Sequence, residues 1–212
     1  MIIVTRPNHD QTTNYLKVWS KEIINLAKEK QLSLADLVGK KANKKLFLSY
    51  LNKNKINLIF FNGHGDDGCV TGYDNLALVS TTDKQKIVCN LIFSRSCRSG
   101  KNLAKYVVKN GTKAFIGYED DFVFFIDKEK STKPLQDKTA SIFLKPSNLV
   151  ASSLLKGNSA ELADKKSKDM MKRNLSKLLS SKHQADEYMA KFLYNNLIHQ
   201  IVKGDPMAKI YG

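Results

Sequence analysis

Two apolar segments of this chain each end in a residue that can take part in nucleophilic chemistry. Residues 57–61 lead into His64, which lies between two glycines, and residues 87–93 lead into Cys97. Both segments have the length and continuous hydrophobicity of strands that are buried on two faces, as in parallel sheets. The carboxyl ends of parallel strands meet at one edge, where open α/β sheets hold their active sites. The sequence therefore predicts that Cys97 is a thiol nucleophile and that His64 is its base.

The predicted surroundings of Cys97 favour a thiolate. The position lies between the end of a strand and the expected first turn of a helix, where free backbone amides lower the pKa of a thiol. Arg95 and Arg98 add positive charge nearby. The glycines beside His64 allow backbone to approach a substrate carbonyl. The amides of Gly65 and Cys97 are therefore candidates for an oxyanion hole.

The remaining cysteines and histidines show no pattern of their own. Cys89 lies inside an apolar segment, and Cys69 has no second Cys or His at zinc-ligand spacing. Three cysteines do not form a disulfide framework, and they indicate a reducing compartment. We expect no metal site and no cofactor. The histidines without a partner motif, which we expect at the surface, are His9, His183 and His199.

Length and composition are typical of one α/β domain. With 212 residues and 42% hydrophobic content, the chain can bury a full core. It shows no leader pattern at Met1 and no apolar stretch near the roughly 18 residues of a membrane span. We therefore expect a cytoplasmic protein that does not contact membranes.

The formal net charge of +15 comes mostly from lysines that are spread along the chain. One local group, in residues 165–182, predicts a basic helix, which we interpret as a solvated face, with a polyanion contact as the alternative. No zinc-finger spacing, RNP-like strand or Gly-rich phosphate loop accompanies it, so nucleic acid is not the expected partner. Only four of the 35 basic residues are arginines, and two of them flank Cys97. This placement favours bidentate binding of a carboxylate by an arginine side chain near Cys97.

Predicted strands and helices alternate along the first half of the chain, which favours a parallel sheet. The patterns predict a first strand in residues 1–4, a helix in residues 12–30, a hairpin in residues 70–79 and a strand in residues 113–118. The last of these ends in the acidic residues 119–121. Helices and a closing strand are expected in residues 139–212.

The ordered set of these features resembles the caspase-like cysteine peptidases, a group that includes caspases, metacaspases, gingipains, clostripain, separase and the CHAT proteases. The resemblance rests on a His-Gly pair after one apolar strand and on Ser-Cys-Arg-Ser-Gly after the next, about 33 residues apart. A helix, the strand in residues 113–118, a helix-Gly-helix junction near Gly157 and a closing strand near Gly204 extend it over nearly the whole chain. It implies an α/β/α sandwich with a mostly parallel central sheet and helices on both faces. We expect one such domain in residues 1–212, with the core sheet in about 1–126 and the C-terminal helices and last strand in about 139–212.

The resemblance also implies hydrolysis of a peptide or protein substrate through an acyl-enzyme, with Cys97 as nucleophile and His64 handling the leaving-group proton. In this group the position two before the nucleophile commonly lines the pocket for the residue that precedes the cut. Here that position is Arg95, which predicts a preference for acidic side chains. A basic preference is the alternative, because several carboxylates could reach the same pocket. Those expected to line it are Asp66, Glu119 and Asp120.

Two other functions stay open at this stage. The chain could be an inactive caspase-like module that binds a regulatory protein partner, or a basic protein whose binding depends on salt rather than on Cys97. Asp66 and Asp67 are interpreted as solvated turn residues rather than metal ligands, with calcium as the alternative because some metacaspases use it.

Overall fold

The computed structural model describes residues 1–211 and contains a six-stranded sheet flanked by helices. In chain order, the strands are β1 (Ile2–Arg6), β2 (Leu34–Val38), β3 (Leu58–Phe61), β4 (Cys69–Thr71), β5 (Ala77–Ser80), β6 (Leu91–Ser94), β7 (Ala114–Tyr118) and β8 (Gln200–Gly204). The α-helices are α1 (Gln11–Trp19), α2 (Lys21–Glu29), α3 (Lys44–Lys53), α4 (Asn102–Lys109), α5 (Lys138–Leu155), α6 (Ala160–Leu179) and α7 (Gln184–His199).

The strand order in the sheet is β2-β1-β3-β6-β7-β8. All neighbours are parallel except β7 and β8, which pair antiparallel. The predicted hairpin is present as β4 and β5, which form a separate two-stranded sheet. The predicted fold class, a mostly parallel sheet with helices on both faces, is therefore confirmed.

Side chains that alternate along the strands build a core on each face of the sheet. On one face, Phe60 and Phe93 stack with ring centroids 4.9 Å apart and pack with apolar residues of α2, α5 and α6. On the other face, Ile59 and Phe61 pack with residues of α3, α4 and the hairpin. Each fully buried aromatic or aliphatic side chain contributes about 2 kcal/mol. The strands are apolar on both sides because both sides are covered.

The structure differs from the predicted elements in three places. The helix expected in residues 12–30 is divided at Ser20, whose hydroxyl donates to the Leu16 carbonyl at 2.8 Å, a contact that bends helices. Strand β2 was not predicted, because Asp36 interrupts its short apolar segment. Residues 87–90 precede β6 rather than belonging to it. None of the helices described in residues 1–211 combines the length and apolar character needed to cross a bilayer.

Candidate active site

The loops that follow four neighbouring strands all lie at one edge of the sheet. Strands β1, β3, β6 and β7 are adjacent and parallel, so residues 7–10, 62–68, 95–101 and 119–127 all leave from the carboxyl ends. These loops carry His64, Cys97 and most of the other residues that the sequence singles out. The site is therefore positioned by the parallel register of the sheet.

The loops that carry His64 and Cys97 start at the same level along the strand direction of the sheet. Phe61 and Ser94 are register partners at the ends of β3 and β6, and His64 and Cys97 each follow three residues later. The Ser96 hydroxyl donates to the Gly63 carbonyl at 2.8 Å, which fixes one loop to the other. The His64 side chain is 39% exposed, and Cys97 is half-buried. Both side chains are thus open in part to a ligand from solvent.

Gly65 brings the backbone of the histidine loop against the cysteine loop. A Cβ atom at Gly65 would lie 2.7 Å from Ser96 Cβ, 2.9 Å from the Cys69 carbonyl oxygen and 3.1 Å from that of Cys97. Only a residue without a side chain fits at such separations. Within residues 1–211, neither the Gly65 amide nor the Cys97 amide donates a hydrogen bond. Two unpaired donors therefore lie on touching loops.

Asp10 holds the imidazole of His64. Its Oδ2 lies 2.6 Å from His64 Nε2, and its Oδ1 accepts from the Thr13 amide at 2.7 Å and from the Thr13 hydroxyl at 2.8 Å. Asp10 is the N-cap of α1, so the helix start fixes the direction of the carboxylate. Burial alone would raise the pKa of Asp10, but the hydrogen bonds from Thr13 and His64 outweigh it and lower that pKa. The carboxylate is therefore ionised beside His64 at neutral pH and leaves Nδ1 as the free ring nitrogen.

No sequence pattern identified Asp10 as a partner of His64. The spacing of Asp10 and Thr13 is a helix-capping signal, which indicates where α1 starts. It carries no information that β1 lies next to β3, and that adjacency is what brings residue 10 to residue 64.

His9 is not the surface residue that we predicted. Its side chain is only 9% exposed, and its Nε2 lies 3.0 Å from Asn75 Oδ1 and 3.4 Å from Asp10 Oδ2. The ring packs edge-on against Tyr73 and His64, with centroids 5.7 Å and 6.0 Å away. Two histidines therefore share one carboxylate at the edge of the sheet.

The thiol of Cys97 does not have the lowered pKa that the sequence suggested. Burial raises the pKa of Cys97, and the carboxylate of Asp121 raises it further, while Arg98 offsets part of the effect. The expected helix dipole is also distant, because α4 begins only at Asn102. The amides of Asn102 and Leu103 are already bonded to the Asp67 carbonyl, both at 2.9 Å. The thiol therefore needs a base to become a nucleophile at neutral pH.

Arg98 adopts a left-handed backbone conformation directly after Cys97, with φ of 54°. Such a conformation is uncommon for a residue with a side chain, and it concentrates at functional sites. The Arg98 amide donates to the Asp120 carbonyl at 3.1 Å, and its Nε lies 3.4 Å from Asp121 Oδ1 and 3.7 Å from Asp67 Oδ1. These contacts tie the cysteine loop to the loop after β7.

Arg95 was predicted to line the substrate pocket, and this prediction is wrong. The residue is 1% exposed, and its guanidinium lies 4.8 Å above the ring of Phe60. It donates to the side chains of Asn62 and Asn148 and to the Leu16 carbonyl. Because it is buried with these contacts, Arg95 has no free surface to offer a substrate. It connects the sheet to α1 and α5.

The predicted acidic pocket residues are placed differently from one another. Asp66 is exposed in the histidine loop, where its side chain accepts from the Gly68 amide at 2.8 Å. Glu119 pairs with Lys203 at 2.9 Å, and Asp120 faces His199 at 3.8 Å. Glu119 and Asp120 line an open depression that includes neither His64 nor Cys97. Asp121 is the carboxylate that the structure brings to the thiol.

Comparison with known proteins gives a structural likeness but no match in sequence. No protein-family model and no curated protein sequence matches the chain. Among solved structures, the chain is similar to the Arg-specific cysteine proteinase gingipain R, with a TM-score of 0.61 and 14% identity. The superposition covers 98% of this chain and 46% of that one, so this chain spans less than half of its length. The fold is thus caspase-like, in agreement with the arrangement of strands and helices described above.

Proposed function

We propose that this protein is a cysteine endopeptidase in which Cys97 attacks the scissile carbonyl and His64 transfers the proton. The observation that carries the proposal is that Cys97 and His64 follow register-paired strand ends on loops that touch through Gly65. His64 is further oriented by an ionised Asp10 at 2.6 Å. A cysteine, a histidine and an orienting third group are the parts of an activated nucleophile. The caspase-like fold supports the same assignment.

In the first half of the reaction, His64 accepts the thiol proton at Nδ1 and Cys97 Sγ bonds to the carbonyl carbon. The amides of Gly65 and Cys97 are the donors proposed for the resulting oxyanion. The imidazolium then gives its proton to the amine as the C–N bond breaks, which leaves an acyl group on Sγ. A water molecule, deprotonated by His64, hydrolyses this thioester and restores the free thiol. Asp10 stabilises the imidazolium in both halves by its negative charge.

We further propose a preference for a basic side chain before the cut. The only ground for an acidic preference was Arg95, and that residue is buried. The exposed arginine near Cys97 is Arg98, which faces Asp67 and Asp121, so its charge is already compensated. Asp66 and Asp121 are exposed on the loops that flank the nucleophile. The structural similarity to gingipain R, an Arg-specific cysteine proteinase, is consistent with this choice.

The basic helix does not support a second candidate function. Two of its lysines, Lys165 and Lys168, pair with Asp169 and Asp164 on α6 itself, at 2.7 Å and 3.0 Å. Such pairs reduce the local positive potential that a polyanion site would need.

The proposal is tested with fluorogenic peptides that differ only in the residue before the cut, together with a thiol-directed peptide probe. We expect cleavage after Arg or Lys, and labelling of Cys97. Cys97→Ala should abolish both, whereas Cys69→Ala, which removes another half-buried thiol, should change neither. Cleavage after Asp would refute the basic preference alone. Cleavage that persists in Cys97→Ala would refute the assigned nucleophile.

A further inference from the structure

A cluster of three metal-binding side chains lies at the carboxyl edge of the sheet. His9, Asp10 and His64 each offer one ligand atom, and these atoms all lie within 4.8 Å of one another. Two of the residues come from the loop after β1, and the third comes from the loop after β3. Imidazole nitrogen and carboxylate oxygen are ligands that zinc and neighbouring transition metals accept. Calcium and magnesium prefer sets made of oxygen, which this cluster does not provide.

One pair of ligand atoms already has the spacing of a tetrahedral zinc site. Bonds of 2.0–2.2 Å place two ligand atoms of such a site about 3.3 Å apart. His9 Nε2 already lies 3.4 Å from Asp10 Oδ2. His64 Nε2 lies 2.6 Å from the same oxygen, which is the length of a charged hydrogen bond. A small outward movement of the half-exposed imidazole would convert that hydrogen bond into a pair of metal ligands.

The surroundings of the cluster hold two of its members in place. Asp10 Oδ1 is fixed by Thr13, so Oδ2 is presented to both imidazoles. The His9 ring is packed against Tyr73, and its buried Nδ1 has no hydrogen-bond partner in the described part of the chain. A metal site needs this kind of support around its ligands.

We propose that His9, Asp10 and His64 bind one divalent transition-metal ion of the zinc type, with the fourth position open to water. The ion takes the lone pair of each Nε2 and of Asp10 Oδ2. In each imidazole the proton that Nε2 now directs at Asp10 or at Asn75 Oδ1 moves to Nδ1 through solvent, which frees the Nε2 lone pair for the ion.

Binding at this site inhibits the enzyme, a consequence that rests on the proposed peptidase function. Once Nε2 of His64 is bound to a metal, Nδ1 carries the single N–H proton of the ring and has no lone pair with which to accept another. The raised pKa of the Cys97 thiol makes that acceptor necessary. A bound ion therefore leaves His64 unable to act as the base.

The site itself is tested by binding, with no need for activity. The metal-free full chain competes for Zn²⁺ with a chromogenic chelator, and Co²⁺ is added separately so that its visible absorption reports the coordination geometry. We expect a single bound ion and a tetrahedral cobalt spectrum. His9→Gln should weaken binding at least about tenfold. The matched control His183→Gln, at an exposed position before α7, should leave binding unchanged.

Two further variants decide between alternative sites. Asp10→Asn keeps the cap acceptor of α1 and should also weaken zinc binding, so the result does not depend on whether His9→Gln folds. Cys97→Ala should bind zinc as the unaltered chain does. If Cys97→Ala loses the ion, the metal lies between thiol and imidazole, and the proposed site is wrong. Unchanged binding in both His9→Gln and Asp10→Asn would also overturn it.

Inhibition is measured as the zinc concentration that halves each variant's own zinc-free activity. We expect this concentration to rise at least about tenfold in His9→Gln, in proportion to the loss of binding. Full activity of the unaltered chain at saturating zinc would overturn the inhibitory role. It would not contradict the binding site itself. If no peptide is cleaved under any condition, the chelator competition still decides whether the ion binds.

Discussion

Asp10 and His64, 54 residues apart in the chain, are joined by a 2.6 Å contact between a carboxylate oxygen and an imidazole nitrogen. The contact exists because β1 and β3 are adjacent and parallel, so that both loops leave from the same edge. It occupies Nε2 of His64 and leaves Nδ1 as the free ring nitrogen, which the proposed mechanism uses as the base.

The first prediction concerns the charge of Asp10. Asp10→Asn should lower kcat at least about tenfold, because the variant no longer stabilises the imidazolium of His64. The amide oxygen of asparagine still accepts from Thr13, so α1 keeps its cap and the midpoint of urea unfolding should hardly move. Steady-state kinetics and urea titrations on the same preparations measure both. A kcat equal to that of the unaltered chain would show that Asp10 does not act on His64.

The second prediction concerns the pH dependence of the thiol. Because the carboxylate of Asp121 raises the pKa of Cys97, Asp121→Asn should lower this pKa and shift the alkylation profile to lower pH. The rate of reaction with iodoacetamide, followed against pH by mass spectrometry of the peptide that holds Cys97, gives the midpoint. Asp66→Asn is the matched control, since Asp66 does not contribute to the shift at Cys97. Equal profiles for Asp121→Asn and the unaltered chain would contradict the assigned cause.

The third prediction tests whether Arg95 stabilises the fold or sets the substrate preference. Arg95→Met should lower the free energy of unfolding by about 3 kcal/mol, because Asn62 and Asn148 lose a buried donor. The ranking of peptide substrates by the residue before the cut should not change. Arg98→Met, at a 44% exposed side chain, provides the stability control and should cost well under that amount. An altered substrate ranking with unchanged stability would place Arg95 in the pocket after all.

The fourth prediction concerns the contact between the two loops at Gly65. Gly65→Ala should lower kcat at least about tenfold, because the added methyl group meets Ser96 and two carbonyl oxygens and forces the loops apart. Gly68→Ala, in the same loop, meets only the side chain of Thr81 at 3.0 Å and should be far milder. Kinetics and thermal unfolding of both variants check this. If the kcat of Gly65→Ala equals that of Gly68→Ala, the loop spacing at Gly65 does not matter to the reaction.

Local sequence patterns were sufficient for the main features of the fold. The apolar segments before His64 and Cys97 became β3 and β6, and the segment in residues 113–118 became most of β7. These strands are buried on both faces, so their hydrophobicity is continuous and can be recognised without any knowledge of their neighbours. The end of α4 is equally local in origin, because Asn110-Gly111 is a helix-ending pair and Gly111 has φ of 112°.

Local patterns failed where a residue's role depends on which elements lie beside it. Arg95 follows a strand just as a pocket residue would, but α1 and α5 cover it, and its partners Leu16 and Asn148 are far away in the chain. The basis for the acidic preference failed for that reason. His9 was expected at the surface because Tyr73 and Asn75, which pack against it, belong to a distant loop.

The sequence by itself determined that an imidazole and a thiol leave the same edge of a parallel sheet, because strand hydrophobicity and chain direction are local properties. Only the tertiary structure decided that Asp10 and His9 join His64, that Arg95 is buried, and that burial raises the pKa of Cys97. These outcomes depend on strand order and on the helices that cover each loop. Both are set by packing energies summed over the whole molecule, which no single segment of the chain contains.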